Sequence, residues 1–227
     1  MAHLARLLLA AAACSGAFGA DPDPADIVRR AVANDEQAKN AAALPYSLTE
    51  RQRTRNLDEA GGVKSVSARS RDIRMPDYLK HRERYRRAIR EIPEAFVFRL
   101  SHEETVNLRP CFVIEISPRP GFQPVDRFSK LFGQLRGRLW IDKAEYHWVK
   151  LEAELTETVT FGWILVRIHR GSRARLTQEL VNNEAWLPRE MWYRASVRIG
   201  LVSLRGFETE ARYGDYRIEA PPSPASP

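Results

Sequence analysis

From Glu94 onward, apolar residues recur at every second position in one short run after another. Phe96, Phe98 and Leu100 alternate, then Phe112, Ile114 and Ile116, then Leu139 and Ile141. Val149, Leu151, Ala153 and Leu155 follow, then Ile164, Val166 and Ile168, then Leu176 and Leu180. Met191, Tyr193, Ala195, Val197 and Ile199 come next, and Phe207, Ala211 and Tyr213 close the series. Side chains of a strand point alternately to its two faces, so this period marks antiparallel strands with one face buried and one wet. Turns such as Arg170-Gly171-Ser172 and Asn182-Asn183 separate the runs. Together with an upstream hairpin, Tyr46 to Asn56 and Val63 to Met75 around Gly61-Gly62, they predict about ten strands in one sheet.

One apolar face shared by so many strands has to be covered. The sequence offers few coverings. Asp23 is a candidate N-cap with Pro24 at the first helical position, and Ile27, Val28, Ala31 and Val32 give a helical stripe ending near Ala43. Between Pro76 and Pro93, Tyr85, Ala88, Ile89 and Ile92 repeat at helical spacing. Phe128 to Leu135 is the third candidate. The expected class is therefore α+β: a strongly curved antiparallel sheet, an unclosed β-barrel, with a few helices on its concave side.

The first twenty residues bear on compartment. A basic start ends at Arg6, an apolar stretch runs from Leu7 to Ala13, and small residues follow. That order is a secretory signal, and the stretch is too short to span a bilayer. Cleavage after Gly19 would release a chain beginning at Ala20. Ala11-Ala12-Ala13-Cys14 also resembles a lipobox, which would remove residues 1–13 and lipidate Cys14. Both routes predict export, to the periplasm as a soluble chain or to the outer membrane through Cys14. The expected organisation is a signal over 1–19 (or 1–13), a single domain over 20–219, and a Pro-rich tail over 220–227. Cys111, in the run Cys111-Phe112-Val113-Ile114, reads as a buried free thiol.

Charge is uneven. The chain carries 36 Lys and Arg against 29 Asp and Glu, a net +7, yet residues 51–90 alone hold thirteen against five. The helix over 81–92 concentrates part of this excess in Arg86, Arg87 and their neighbours. It reads as a lid with a solvated outer face, or as a basic amphipathic helix on anionic lipid headgroups. Nucleic-acid binding is not expected, because no aromatic–basic platform or recognised motif is present.

Chemistry-bearing motifs are sparse. The sequence has no Gly-x-Ser-x-Gly elbow, no His-Glu-x-x-His, no phosphate loop and no dinucleotide fingerprint. His81, His102, His147 and His169 are not at metal spacing, and His102 beside Glu103 and Glu104 reads as a polar turn. Enzymatic activity, a metal and a cofactor are not expected. If the strands are regular, Trp140 and Trp148 face away from Leu139, Ile141, Val149 and Leu151, and Trp163 and Trp192 oppose their own apolar neighbours. These rings either cover Arg and Lys stems or form a surface for an envelope protein.

Pro118-Arg119-Pro120-Gly121-Phe122, Gly137-Arg138-Leu139-Trp140-Ile141-Asp142-Lys143 and Val149-Lys150-Leu151-Glu152-Ala153 follow one another in the order of a known group. Ile168, Gly171-Ser172, Trp186-Leu187-Pro188 and Tyr213-Gly214-Asp215-Tyr216-Arg217 continue it. Across roughly residues 25–219 the chain resembles exported bacterial proteins similar to outer-membrane lipoprotein-sorting proteins, the LolA/LolB-like superfamily. The resemblance implies an unclosed barrel plugged by helices, with a cavity for acyl chains of lipids or lipoproteins. The lining expected here is Ile114, Leu139, Ile141, Val149, Leu151, Ile164, Val166 and Val197, with Phe128 and Phe132 from the covering segment. The other expectation is a filled core, with a sensor or protein-interaction role for the Trp/Arg face.

Overall fold

A computed structural model describes residues 22–37, 46–161, 166–200 and 203–218. The expected signal segment, Cys14, the helix end expected near Ala43, Trp163, Ile164 and the expected tail lie outside the described residues. The chain begins with helix α1, Pro24–Gln37, and Asp23 caps it by accepting the Ala25 amide at 3.0 Å. Strands β1, Tyr46–Leu57, and β2, Val63–Arg74, form the expected hairpin. Its turn is closed by Gly61 at φ +86° and by the Asp58 carboxylate on the Gly62 amide at 2.8 Å.

The basic segment is two helices rather than one: α2, Met75–Glu83, and α3, Arg86–Ala95. Of the expected stripe, Ala88, Ile89 and Ile92 belong to α3, and Tyr85 precedes its first turn. Pro93 does not stop α3, because it falls in the last turn and only the next two residues follow it. The strands β3, Phe96–Val106, and β4, Arg109–Pro118, come next. The covering segment is a short 3₁₀ helix, Ser129–Gln134. Then follow β5, Leu135–Asp142; β6, Trp148–Leu155; β7, Val159–Phe161; β8, Val166–Ile168; β9, Arg173–Val181; β10, Ala185–Ile199; and β11, Ser203–Ile218.

Nine of these strands form one antiparallel path, β2-β1-β11-β10-β9-β6-β5-β4-β3, with β7 and β8 attached through β10. The edges β2 and β3 do not meet, so the sheet is curved but unclosed, as the alternation predicts. Asn182 and Asn183 both adopt positive φ, 52° and 55°, the conformation a tight β9–β10 hairpin requires and Asn tolerates.

The two faces are chemically opposite. On the helix side, Ile27, Val28 and Ala31 of α1 pack on Phe112, Ile114 and Ile141. A second cluster lies across the sheet, where Met75 of α2 meets Tyr46, Leu48, Ala185 and Leu187. On the other side a row crosses eight strands: Arg99, Glu115, Arg138, Glu152, Arg175, Trp192, Glu210 and Arg53. Alternating signs directly opposite one another stabilise the pairing modestly and solvate the face.

Strands β5 and β6 approach closely at Gly137. A Cβ there would lie 2.0 Å from the Glu152 carbonyl oxygen and 3.0 Å from the Ala153 Cα. Gly137→Ala must therefore push two central strands apart, and chemical denaturation should show a loss of about 1–3 kcal/mol. An unchanged midpoint would mean the sheet relaxes without cost.

Candidate functional site

The helices cover the sheet unevenly. The closest sheet contacts of α1 fall on β3 and β5, and those of α2 on β1 and β2. α3 makes its main close contacts with α1, α2 and the 3₁₀ helix, and its Ile92 and Ala95 pack toward Phe96, Phe98, Ile116 and Leu139. Among the described residues no helix has its main contacts on β6, β9 or β10. There the register lines up Leu100, Ile114, Leu139, Leu151, Leu176, Met191 and Ala211 in one row on the helix side. The row changes character along its length. Ile114 and Ala211 are fully buried, whereas Leu151, Leu176 and Met191 are only half-buried and join none of the four buried clusters. In the next row Tyr193 is half-buried too, its ring edge-on to Phe207 with centroids 5.8 Å apart. An apolar trough therefore lies between two cores.

Of the expected lining residues, Ile114, Leu139 and Leu151 are direct cross-strand neighbours on the trough side. Ile141 sits on that side under α1, in the packed part of the core. Phe132 packs on Phe96 with ring centroids 5.1 Å apart, and Phe128 packs against Tyr85 instead. Val166 and Val197 are half-buried near the far end of the sheet, where Val197 pairs with Ile168. Ile164 is outside the described residues. Leu176, Met191 and Tyr193 were legible as strand residues, but only the register reveals that they continue the Leu139–Leu151 row.

Val149 and Trp148 exchange the faces that regular alternation predicts. A register shift between Trp140 and Ile141 places Trp148 opposite Ile141, on the α1 side, where its Nε1 donates to Asp35 at 2.9 Å. Val149 turns to the other face and is buried with Cys111, Val113 and Trp140. The cause is a bulge, which adds one residue to a strand and reverses the parity beyond it. Val149 therefore cannot line the trough, and Trp148 is not on the charged face.

Trp140 is on the charged face as expected but only 2% exposed, so it offers no docking surface. Lys150 Nζ lies 4.1 Å from its ring centroid and the Arg138 guanidinium 5.2 Å, while its Nε1 donates to Glu104 at 2.8 Å. The ring packs against cation stems, the first of the two readings. Trp192 stays half-buried there, 6.0 Å from the Arg175 guanidinium. Glu152 accepts from Lys150 at 2.9 Å, Arg175 at 3.1 Å and Arg138 at 3.2 Å. Burial raises its proton affinity, but these three cations, Lys150 foremost, hold the carboxyl below the usual range. An open groove of about 970 Å³ runs along this face past Arg99, Arg136, Arg138, Arg173 and Trp192.

Elsewhere the chemistry is structural. Burial pushes the Cys111 thiol up to about 11, which keeps it protonated and unreactive. His102 is half-exposed on the edge strand β3, 3.8 Å from a Glu104 oxygen that also accepts from Trp140. No group of His, Cys, Asp or Glu among the described residues could hold a metal. Arg86 pairs with Glu83 at 2.7 Å, whereas Arg87 is exposed without an ion pair among the described residues.

No family model matches the chain, and no curated protein does. Solved structures do. A DUF1329 family protein from Desulfovibrio piger is 12% identical at a TM-score of 0.40, covering 90% of this chain and 95% of its own. A LolA superfamily protein from Nitrosomonas europaea is 11% identical at 0.32, covering 88% and 94%. MucB, in complex with MucA(peri), is 10% identical at 0.31, covering 88% and 100%. The superfamily resembled by the sequence thus recurs among the structural neighbours. These low identities and scores carry no functional argument.

Proposed function

We propose that this protein is a non-enzymatic binding or carrier protein for acyl chains of lipids or lipoproteins, acting in the periplasm of a bacterial envelope. One observation carries the reading: the Leu151–Leu176–Met191 row lies half-buried between two packed cores, on strands where no helix has its main contacts among the described residues. Such a row keeps the cost of exposed apolar surface until something covers it. A linear acyl chain fits, because the row runs across strands as a stripe and each CH₂ it buries is worth about 0.8 kcal/mol. No catalytic group is required. Release needs only a covering segment to move or an acceptor with a more apolar site.

A second reading has its own support. In the charged groove, Arg136 has no ion-pair partner among the described residues, and the half-buried Trp192 lines the same groove. A sensor or interaction module would use that face to hold an envelope protein.

Native mass spectrometry of the mature protein purified from a bacterial envelope separates the two. The expected spectrum contains a bound mass that matches a lipid and disappears on organic extraction. A ligand-free mass, with no uptake of added fatty acid or phospholipid, overturns the carrier reading in favour of the interaction module.

A further inference from the structure

The turn following β4 is held in an unusual way. Glu91 of α3 spends its carboxylate on it, accepting the Val125 amide at 2.9 Å, the Asp126 amide at 2.7 Å and the Ser129 hydroxyl at 2.8 Å. Ser129 is fully buried by this clamp, and Asp126 caps the Phe128 amide at 2.7 Å. A loop fixed by so many bonds could easily tuck its apolar residue inward. Instead Val125 is 92% exposed.

Nearby, Tyr85 at the start of α3 is 50% exposed and packs against Phe128, with ring centroids 4.8 Å apart and planes tilted by 52°. Cations flank these residues in the chain. The Arg127 guanidinium lies 4.6 Å from the Phe128 ring, and Arg84, Arg87 and Lys130 are exposed. None of these four has an ion-pair partner among the described residues, although elsewhere in the fold most exposed arginines of the sheet find a carboxylate. The acids of this region are occupied: Asp126 caps the Phe128 amide, Glu91 clamps the loop and Glu83 pairs with Arg86.

We propose that this surface, the Val125–Phe128 loop with the start of α3, docks the protein on an anionic lipid bilayer. Aromatic rings and a projecting aliphatic side chain favour the headgroup boundary, while the surrounding cations meet anionic headgroups. The docking tip adjoins a packed core: Phe128 precedes the 3₁₀ helix whose Phe132 packs on Phe96. The proposal does not depend on the carrier reading, and its test is separable from it.

The probe is vesicle co-sedimentation of the mature protein, with equal parts phosphatidylglycerol and phosphatidylethanolamine, at low salt. Each cation near such a surface contributes about 1 kcal/mol, so Arg127→Gln with Lys130→Gln should weaken partitioning about 30-fold. Val125→Ser should weaken it about tenfold. Arg53→Gln with Lys64→Gln removes the same charge from the distant hairpin and should leave partitioning unchanged. Equal binding to phosphatidylcholine vesicles, no binding to the anionic ones, or equal losses from both double variants would overturn the proposal. Capture only of an acidic protein, without vesicles, would also overturn it. Fatty-acid uptake measured without vesicles reports on the trough alone, so the two readings can fail independently.

Discussion

Replacing Leu151 with Arg should abolish acyl-chain uptake while leaving the circular dichroism of the folded sheet in place. Leu151 stands between Leu139 and Leu176 in the trough row, with no carboxylate opposite it on either neighbouring strand. A guest that covers this position would seal an unpaired guanidinium away from water. That costs several kcal/mol, enough to weaken binding by more than about 100-fold. The fold should tolerate the change, because Leu151 is half-exposed and an arginine can extend toward solvent when the trough is empty. Fluorescence titration with a labelled fatty acid reads the effect. Undiminished uptake by a folded variant would show that the guest lies elsewhere.

The largest loss of stability should come from Asp142→Ala. Asp142 ends β5, is only 1% exposed, and accepts four hydrogen bonds. Arg109 supplies two, at 2.7 and 3.1 Å, and the Ala144 and Glu145 amides supply the others, at 3.0 and 2.7 Å. Burial alone would raise its proton affinity. The Arg109 guanidinium and the two turn amides outweigh it and hold the carboxyl below the usual range. Truncation leaves those donors without their acceptor, and Glu145 retains only one contact to Arg109. Breaking a buried pair in this way costs about 3–5 kcal/mol, read as a fall of on the order of 10 °C in Tm.

The pH dependence has a definite sign. A carboxyl whose folded pKa is depressed contributes stability above its unfolded pKa of about 3.9 and loses it as pH falls through the folded value. The wild type should therefore weaken below about pH 4, and the variant should weaken less steeply there. A loss under about 1 kcal/mol would mean that desolvation cancels the pair.

Much of the fold was legible because each local signal had one outcome. Asp23-Pro24 can start a helix but not continue a strand, and it starts α1. Asn182-Asn183 supplies two residues tolerant of positive φ between alternating runs, and the β9–β10 hairpin turns there. The single helix expected over 81–92 failed for a corresponding reason. Tyr85 fits the apolar spacing, but periodicity records only which residues share a face and not whether the backbone is continuous. The helix breaks between Glu83 and Arg86, and Tyr85 packs against Phe128 outside the buried clusters.

The candidate site was legible to a smaller extent. Ile114, Leu139 and Leu151 stand out by alternation and do share a row. Val149 is as apolar as they are, yet one bulge sends it to the opposite face and brings Trp148 under α1. No residue near 148 announces that bulge, because it is set by how β5 and β6 register against each other. Leu176 and Met191 show the same gap: each alternates visibly in its own strand, but adjacency to Leu151 exists only after pairing.

By itself, then, the sequence determined the period, the caps and the turns, and with them an antiparallel sheet having one apolar face and too few helices to cover it. These are local properties, decided by the bonds and sterics of residues within a turn or a strand. Tertiary structure alone decided where the helices land, which part of the apolar face stays half-covered, and which side chains form the exposed tip beside α3. Those outcomes depend on strand register and helix placement, which are selected by contacts between residues far apart in the chain, and a linear pattern does not encode which distant neighbour each residue will meet.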